Sequence, residues 1–150
     1  MTIEDIALQM TPGIGPKGAV HLLEQFGDAR NVFAATAGEL TGKAELRPDP
    51  AQQIIRRKGF SAAEKELAYC RRNGITPIAS TDPEYPPLLR EIPDYPHVIY
   101  VRGSVEALAA RCISVVGTRE ATPYGQTACN RLVGGLAERV PGLCIVSGLA

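Results

Sequence analysis

A chain of 150 residues, 45% of them apolar and 21% charged, can bury a core without metal or disulfide staples. Sixteen basic residues balance sixteen acidic ones. That composition excludes global disorder, and it excludes a protein that coats nucleic acid by bulk charge alone. No apolar run reaches the roughly 18 residues of a membrane span, and the acidic start MTIEDIALQM is unlike a secretory leader.

Up to Gly74 the pattern is one of short helices. Ile3, Ile6, Ala7 and Met10 form one helical stripe, with Thr2 placed to cap it and Glu4 and Asp5 in its first turn. Ala19, Val20, Leu22, Leu23 and Phe26 form a second stripe, stopped by Gly27. Thr36 with Glu39, and Ser61 with Glu64, have capping-box spacing. The second box is expected to open a helix that turns Ala63, Leu67 and Cys70 inward and ends at Asn73-Gly74. Residues 41–50, with Gly42, Pro48 and Pro50, read as loop before a helix containing Ile54 and Ile55.

From Ile75 the pattern changes. Six of the twelve prolines fall between Pro77 and Pro96, which predicts an extended connector with turns. Three β-like runs follow, at 98–101, 113–116 and 144–146. The last two are continuously apolar, as strands covered on both faces of a parallel sheet are. Between them lies a helical stripe of Cys129, Leu132, Val133, Leu136, Ala137 and Val140, opened by Thr122-Pro123. Strand, helix and strand make a βαβ unit whose crossover should be right-handed. The expected fold class is therefore α/β. A helical domain covers residues 1–74. Residues 75–150 hold the connector and the first part of a Rossmann-like, doubly wound parallel sheet.

Three segments could carry chemistry. Pro12-Gly13-Ile14-Gly15-Pro16-Lys17 joins two apolar-striped helices in helix-hairpin-helix (SAM-like) fashion. Its exposed amides and Lys17 could touch a phosphate without reading bases, or the turn could be only a tight connection. Ten basic against nine acidic residues up to Gly74 leave no basic stripe, so Arg56-Arg57-Lys58 and Arg71-Arg72 read as solvated faces. The second segment, Val116-Gly117-Thr118-Arg119 before Thr122-Pro123-Tyr124-Gly125, runs from a strand end into a helix N-terminus. Ligands of open α/β sheets bind at such strand ends, and a helix dipole there favours anions. Gly117 permits close approach, Thr118 brings a hydroxyl and Arg119 a planar donor fork. The spacing matches neither GxGxxG nor a Walker loop. The third, Ser147-Gly148-Leu149-Ala150, is another strand end that should lie beside the second and share an anion pocket with it.

Nothing points to catalysis. The carboxylates show no acid/base pairing, and His21 and His97 read as packing or surface residues. Cys70, Cys112, Cys129 and Cys144 contain no CxxC pair, so reduced thiols, three of them packed, are expected, with no metal and no cofactor.

Taken in order, these motifs resemble the DNA-processing protein A family (DprA, also called Smf). The resemblance adds Asp82-Pro83-Glu84-Tyr85-Pro86-Pro87-Leu88-Leu89 and Pro96-His97-Val98-Ile99-Tyr100-Val101-Arg102-Gly103 to the hairpin and the two strand ends. It implies a bacterial cytoplasmic protein, not an enzyme, that binds single-stranded DNA and helps load the RecA recombinase during natural transformation. The family's Gly-Ser-Arg pocket loop falls on Gly117, Thr118 and Arg119, with threonine where serine is usual. The Ser-Gly-Leu-Ala turn falls on Ser147, Gly148, Leu149 and Ala150. Family members continue beyond that turn with further strands, basic DNA contacts and the dimer surface, so this sequence is expected to be the N-terminal portion of a homodimeric protein. Two other readings stand beside this one. The first is a Rossmann-type enzyme on a free nucleotide, such as a nucleotide phosphoribohydrolase. The second makes residues 1–74 an interaction module without DNA contact.

Overall fold

A computed structural model of the chain describes residues 1–148. It is mixed α/β, with seven α-helices and two small sheets among the described residues. Two compact units divide the chain, Met1–Val105 and Glu106–Ala150.

The first unit begins with α1 (Ile3–Gln9), where the Asp5 carboxylate takes the Thr2 amide at 2.6 Å and the Thr2 hydroxyl at 3.0 Å. A turn held by the Thr11 hydroxyl on the Ala7 carbonyl leads to α2 (Pro16–Phe26), which ends at Gly27. Asp28 caps α3 (Ala29–Ala34) by accepting the Asn31 amide at 2.7 Å. The Thr36–Glu39 box opens α4 (Ala37–Gly42) as its spacing predicts, and the Thr36 amide and hydroxyl hold the Glu39 carboxyl below its ordinary range.

Two local expectations are corrected. First, α5 (Pro48–Ile55) takes Pro48 and Pro50 into its first turn, where no intrahelical donor is lost, so the loop shrinks to residues 43–47. Second, α6 (Phe60–Asn73) starts ahead of Ser61, so Ser61–Glu64 is not its capping box. Tertiary packing moves that start. Gly59 lies so close to α1 that a Cβ there would fall 2.0 Å from the Ala7 carbonyl oxygen, and Phe60 meets the Phe33 ring edge-on at 4.8 Å. Gly74, at φ +62°, then ends α6 as expected.

The proline-rich stretch is also more ordered than an extended connector. Strand β1 (Ile75–Ala79) was not legible because Pro77 interrupts it. It pairs antiparallel with β2 (Val98–Arg102), with Pro77 opposite Tyr100, in a two-stranded ribbon where a proline can be accommodated. Between the two strands the chain makes a 3-10 turn, Pro87–Glu91, and buries Tyr85, whose hydroxyl donates to the Pro96 carbonyl. Ile6, Leu8, Leu22, Val32, Leu40 and Ile54 form the centre of the core, with Ala79 and Val98 of the ribbon packed into it. The compact unit therefore runs past the composition change at residue 74, because the ribbon closes over the same core as the helices.

In the second unit, β3 (Cys112–Ser114) and β4 (Cys144–Val146) pair in parallel, joined by α7 (Pro123–Arg139). Cys112 pairs with Cys144, Ile113 with Ile145, and Ser114 with Val146. The expectation of strands covered on both faces is not met. The residues of β3 are exposed, Val116 is 90% exposed and Leu132 of α7 is 68% exposed. Two three-residue strands and one helix carry too few side chains to cover two sheet faces. For the same reason only Cys70 is a packed thiol, while Cys112 and Cys129 are exposed and Cys144 is half-buried; all four are free.

Candidate nucleic-acid interface

Parallel pairing decides where the two small-residue turns go. The last ladder bond runs from the Val115 amide to the Val146 carbonyl at 2.8 Å. Gly117 follows Val115 by two residues and Ser147 directly follows Val146, so both turns leave the same edge of the sheet. This is the carboxyl edge, where open α/β sheets place ligands. Leu149 and Ala150, the end of the Ser-Gly-Leu-Ala turn, lie outside the described residues.

The loop between β3 and α7 is shaped by its own hydroxyls. Thr118 Oγ1 accepts the Glu120 amide at 3.3 Å, and Thr122 Oγ1 caps α7 by accepting the Gly125 amide at 3.1 Å. Pro123 occupies the first helical position and contributes no donor. Gly117, Thr118, Arg119, Ser147 and Gly148 are all exposed. Nothing lies within 4 Å of a Cβ placed on Gly117 or Gly148, so neither glycine is required by packing inside the unit. Among the described residues no ion pair engages Arg119. The arrangement offers a solvated guanidinium, a hydroxyl and open backbone beside a helix N-terminus, which is donor chemistry suited to a phosphate.

The hairpin of the first unit has another character. Gly13, at φ +82°, makes the turn, and a Cβ there would touch Pro50 at 3.3 Å. The Ile14 side chain is buried in the core, so only its backbone is left for a ligand, whereas Gly15 and Lys17 are exposed. His21 reaches the Ala44 carbonyl at 3.1 Å.

One polar cluster escaped the sequence reading. His97 is buried and joins Asp5 of α1 to Ser80, which follows β1. Its Nε2 lies 2.9 Å from Asp5 Oδ1 and its Nδ1 lies 2.8 Å from Ser80 Oγ. A carboxylate can only accept, so Nε2–H donates to Asp5, and Nδ1 shares a proton with the Ser80 hydroxyl. Burial pushes the Asp5 carboxyl up, but the hydrogen bonds from His97 and Thr2 outweigh it and hold Asp5 below its ordinary range. Ser80, His97 and Asp5 are all buried, and the Ser80 amide is bonded to the His97 carbonyl at 2.7 Å, so the cluster clamps α1 to the β-ribbon. No local pattern announces a contact between residues 5 and 97.

Helical packing around a β-ribbon, followed by a parallel β–α–β crossover, defines an α/β protein whose exposed polar turns gather at one sheet edge. Comparison with known proteins then gives its kinship: the family profile of DNA recombination-mediator protein A matches residues 76–150, and the chain belongs to that family. It is similar to DNA processing protein DprA of Bacillus subtilis, 39% identical over 85 residues, covering 56% of this chain and 28% of that protein. It is 30% identical over 132 residues to a putative DNA processing protein DprA of Mycobacterium tuberculosis, covering 79% of this chain and 33% of the relative. Protein Smf of Synechocystis is 26% identical, covering 97% of this chain and 37% of its own length. The matched part thus spans about a third of each curated relative. No helix among the described residues is long and apolar enough to cross a membrane.

Proposed function

We propose that the protein is a single-stranded DNA-binding recombination mediator of the bacterial cytoplasm, which helps load RecA onto DNA taken up in natural transformation. On this reading it is not an enzyme and uses no cofactor. β3, α7 and β4 open a Rossmann-like sheet, the helical unit carries a helix-hairpin-helix turn, and the intact protein is a homodimer. Phosphates are held by Gly117, Thr118, Arg119, Ser147 and Gly148, with Gly13, Ile14, Gly15 and Lys17 as a secondary contact through their backbone and the Lys17 ammonium.

One observation carries the reading: the parallel register sends two open turns from one edge, beside a capped helix start and an arginine that pairs with no charge among the described residues. The free amides of that helix start and its positive dipole end favour an anion. A phosphate contact carries no base information, which suits a mediator that binds any strand.

The test is Arg119→Ala in the intact protein, with affinity for labelled single strands followed by anisotropy across salt concentrations. Loss of one charge-assisted contact should weaken binding about tenfold, similarly for all sequences. The salt slope should shrink by about 0.7. Arg119→Lys should recover part of the loss, because an ammonium keeps the charge without the planar fork. A folded Arg119→Ala protein that binds as tightly as the wild type at every salt concentration overturns the site.

A further inference from the structure

Two of the four cysteines face each other. Cys112 and Cys144 are register partners in the parallel β3–β4 pair. That register is fixed on both sides, by the Cys144 amide on the Arg111 carbonyl at 2.8 Å and the Val115 amide on the Val146 carbonyl at 2.8 Å. Side chains alternate along a strand, so partners in a parallel pair share one face, with Ile113 and Ile145 on the other. Neighbouring strands run about 4.8 Å apart. This separation falls inside the roughly 4.4–6.8 Å between Cα atoms that a disulfide spans. Cys112 Sγ donates to the Ala110 carbonyl at 3.2 Å.

We propose that Cys112 and Cys144 form a reversible cross-strand disulfide by exchange with a low-molecular-weight disulfide such as oxidised glutathione. Exposure sets the order of events. Cys112 is exposed, so its thiolate attacks the glutathione disulfide, a mixed disulfide forms at Cys112, and one glutathione thiolate leaves. The half-buried Cys144 loses its proton to solvent and attacks the Cys112 sulfur, forming the protein disulfide and releasing the second glutathione. In sum, two protein thiols are oxidised, one glutathione disulfide is reduced to two thiols, and no other oxidant is consumed. Desolvation and the neighbouring Cys144 push the Cys112 thiol up, so the first step is slow at neutral pH and quickens as pH rises. The product closes β3, α7 and β4 into a covalent ring in a unit where no described side chain is fully buried.

The experiment treats the intact protein with oxidised glutathione, quenches with acid, alkylates free thiols and maps peptides without reduction. The expected result is a Cys112–Cys144 peptide, loss of two thiols per chain, and return of both on addition of dithiothreitol. Cys144→Ser should stop at glutathione on Cys112, Cys112→Ser should leave Cys144 free, and Cys129→Ser should leave the link intact. The oxidised protein should also unfold at higher urea than the reduced one. A lasting mixed disulfide at Cys112 beside a free Cys144 in the wild-type protein would falsify the pairing. So would a link made through Cys129, or free thiols at both Cys112 and Cys144 under conditions that oxidise the urea-unfolded chain.

Discussion

The two units use polar groups in opposite ways. In Met1–Val105 several polar groups face inward or serve the backbone: His97 bonds to both Asp5 and Ser80, Thr11 closes onto Ala7, and Tyr85 onto Pro96. In Glu106–Ala150 no described residue is buried, and Thr118, Arg119 and Ser147 stand in solvent at a sheet edge. A closed core whose buried polar side chains are satisfied, the Tyr100 hydroxyl excepted, gives stability, whereas unsatisfied donors on an exposed edge are available to a ligand. The first unit is therefore built as a scaffold, and the second leaves in solvent the groups on which the proposed DNA site rests.

Glycine substitutions break this comparison most sharply. Gly59→Ala drives a methyl into the Ala7 carbonyl, and the backbone of α1 or α6 has to move. Urea unfolding should show a loss of about 3 kcal/mol or more. Gly117→Ala meets nothing within 4 Å, so it should leave stability within about 0.5 kcal/mol. If a phosphate approaches that backbone closely, the same change should weaken single-strand binding several-fold. A Gly117→Ala protein with unchanged fold and unchanged affinity would show that the backbone there is not in contact with DNA.

Next in size is the buried clamp. Asp5→Asn leaves His97 and the Thr2 amide without their carboxylate and should cost about 2 kcal/mol near pH 7. The sign of the pH dependence follows from the direction of the shift. Because Asp5 titrates lower in the fold than in the unfolded chain, its contribution is complete above about pH 4 and is lost as pH falls through the folded value. Acid unfolding followed by circular dichroism should accordingly be shallower in Asp5→Asn than in the wild type. An identical acid profile would mean the clamp contributes nothing.

The smallest effect belongs to the second unit. Thr122→Ala removes the α7 cap and should cost about 1 kcal/mol of helix stability, read as faster amide exchange at Gly125 and its neighbours. Exchange rates that do not change would show that the cap is not formed in solution.

Where local chemistry decides an element it was mostly legible, although α3 with its Asp28 cap was not anticipated. The stripe with Thr2, the stop at Gly27, the Thr36–Glu39 box, the Gly74 cap and the Thr122-Pro123 start all rest on bonds within four residues of one another. Expectations missed where distant packing intervenes. Ser61 had capping spacing, but the contact of Gly59 with α1 set the helix start first. Pro77 argued against a strand that a ribbon partner more than twenty residues away then completed. The candidate site follows the same division: the glycine turns and Arg119 stand out in the chain, whereas their neighbourhood depends on strand pairing.

By itself, then, the sequence determined the α/β class, several helix limits, the two strand-end turns and their likeness to a DNA-processing family, because each is written in residues close along the chain. Tertiary structure alone decided that β1 exists, that residues 75–105 belong with the helices, that His97 bridges Asp5 and Ser80, and that Cys112 faces Cys144. The physical reason is sequence separation. A hydrogen bond or strand register between residues tens of positions apart depends on how the intervening chain packs, and no short window of residues contains that information.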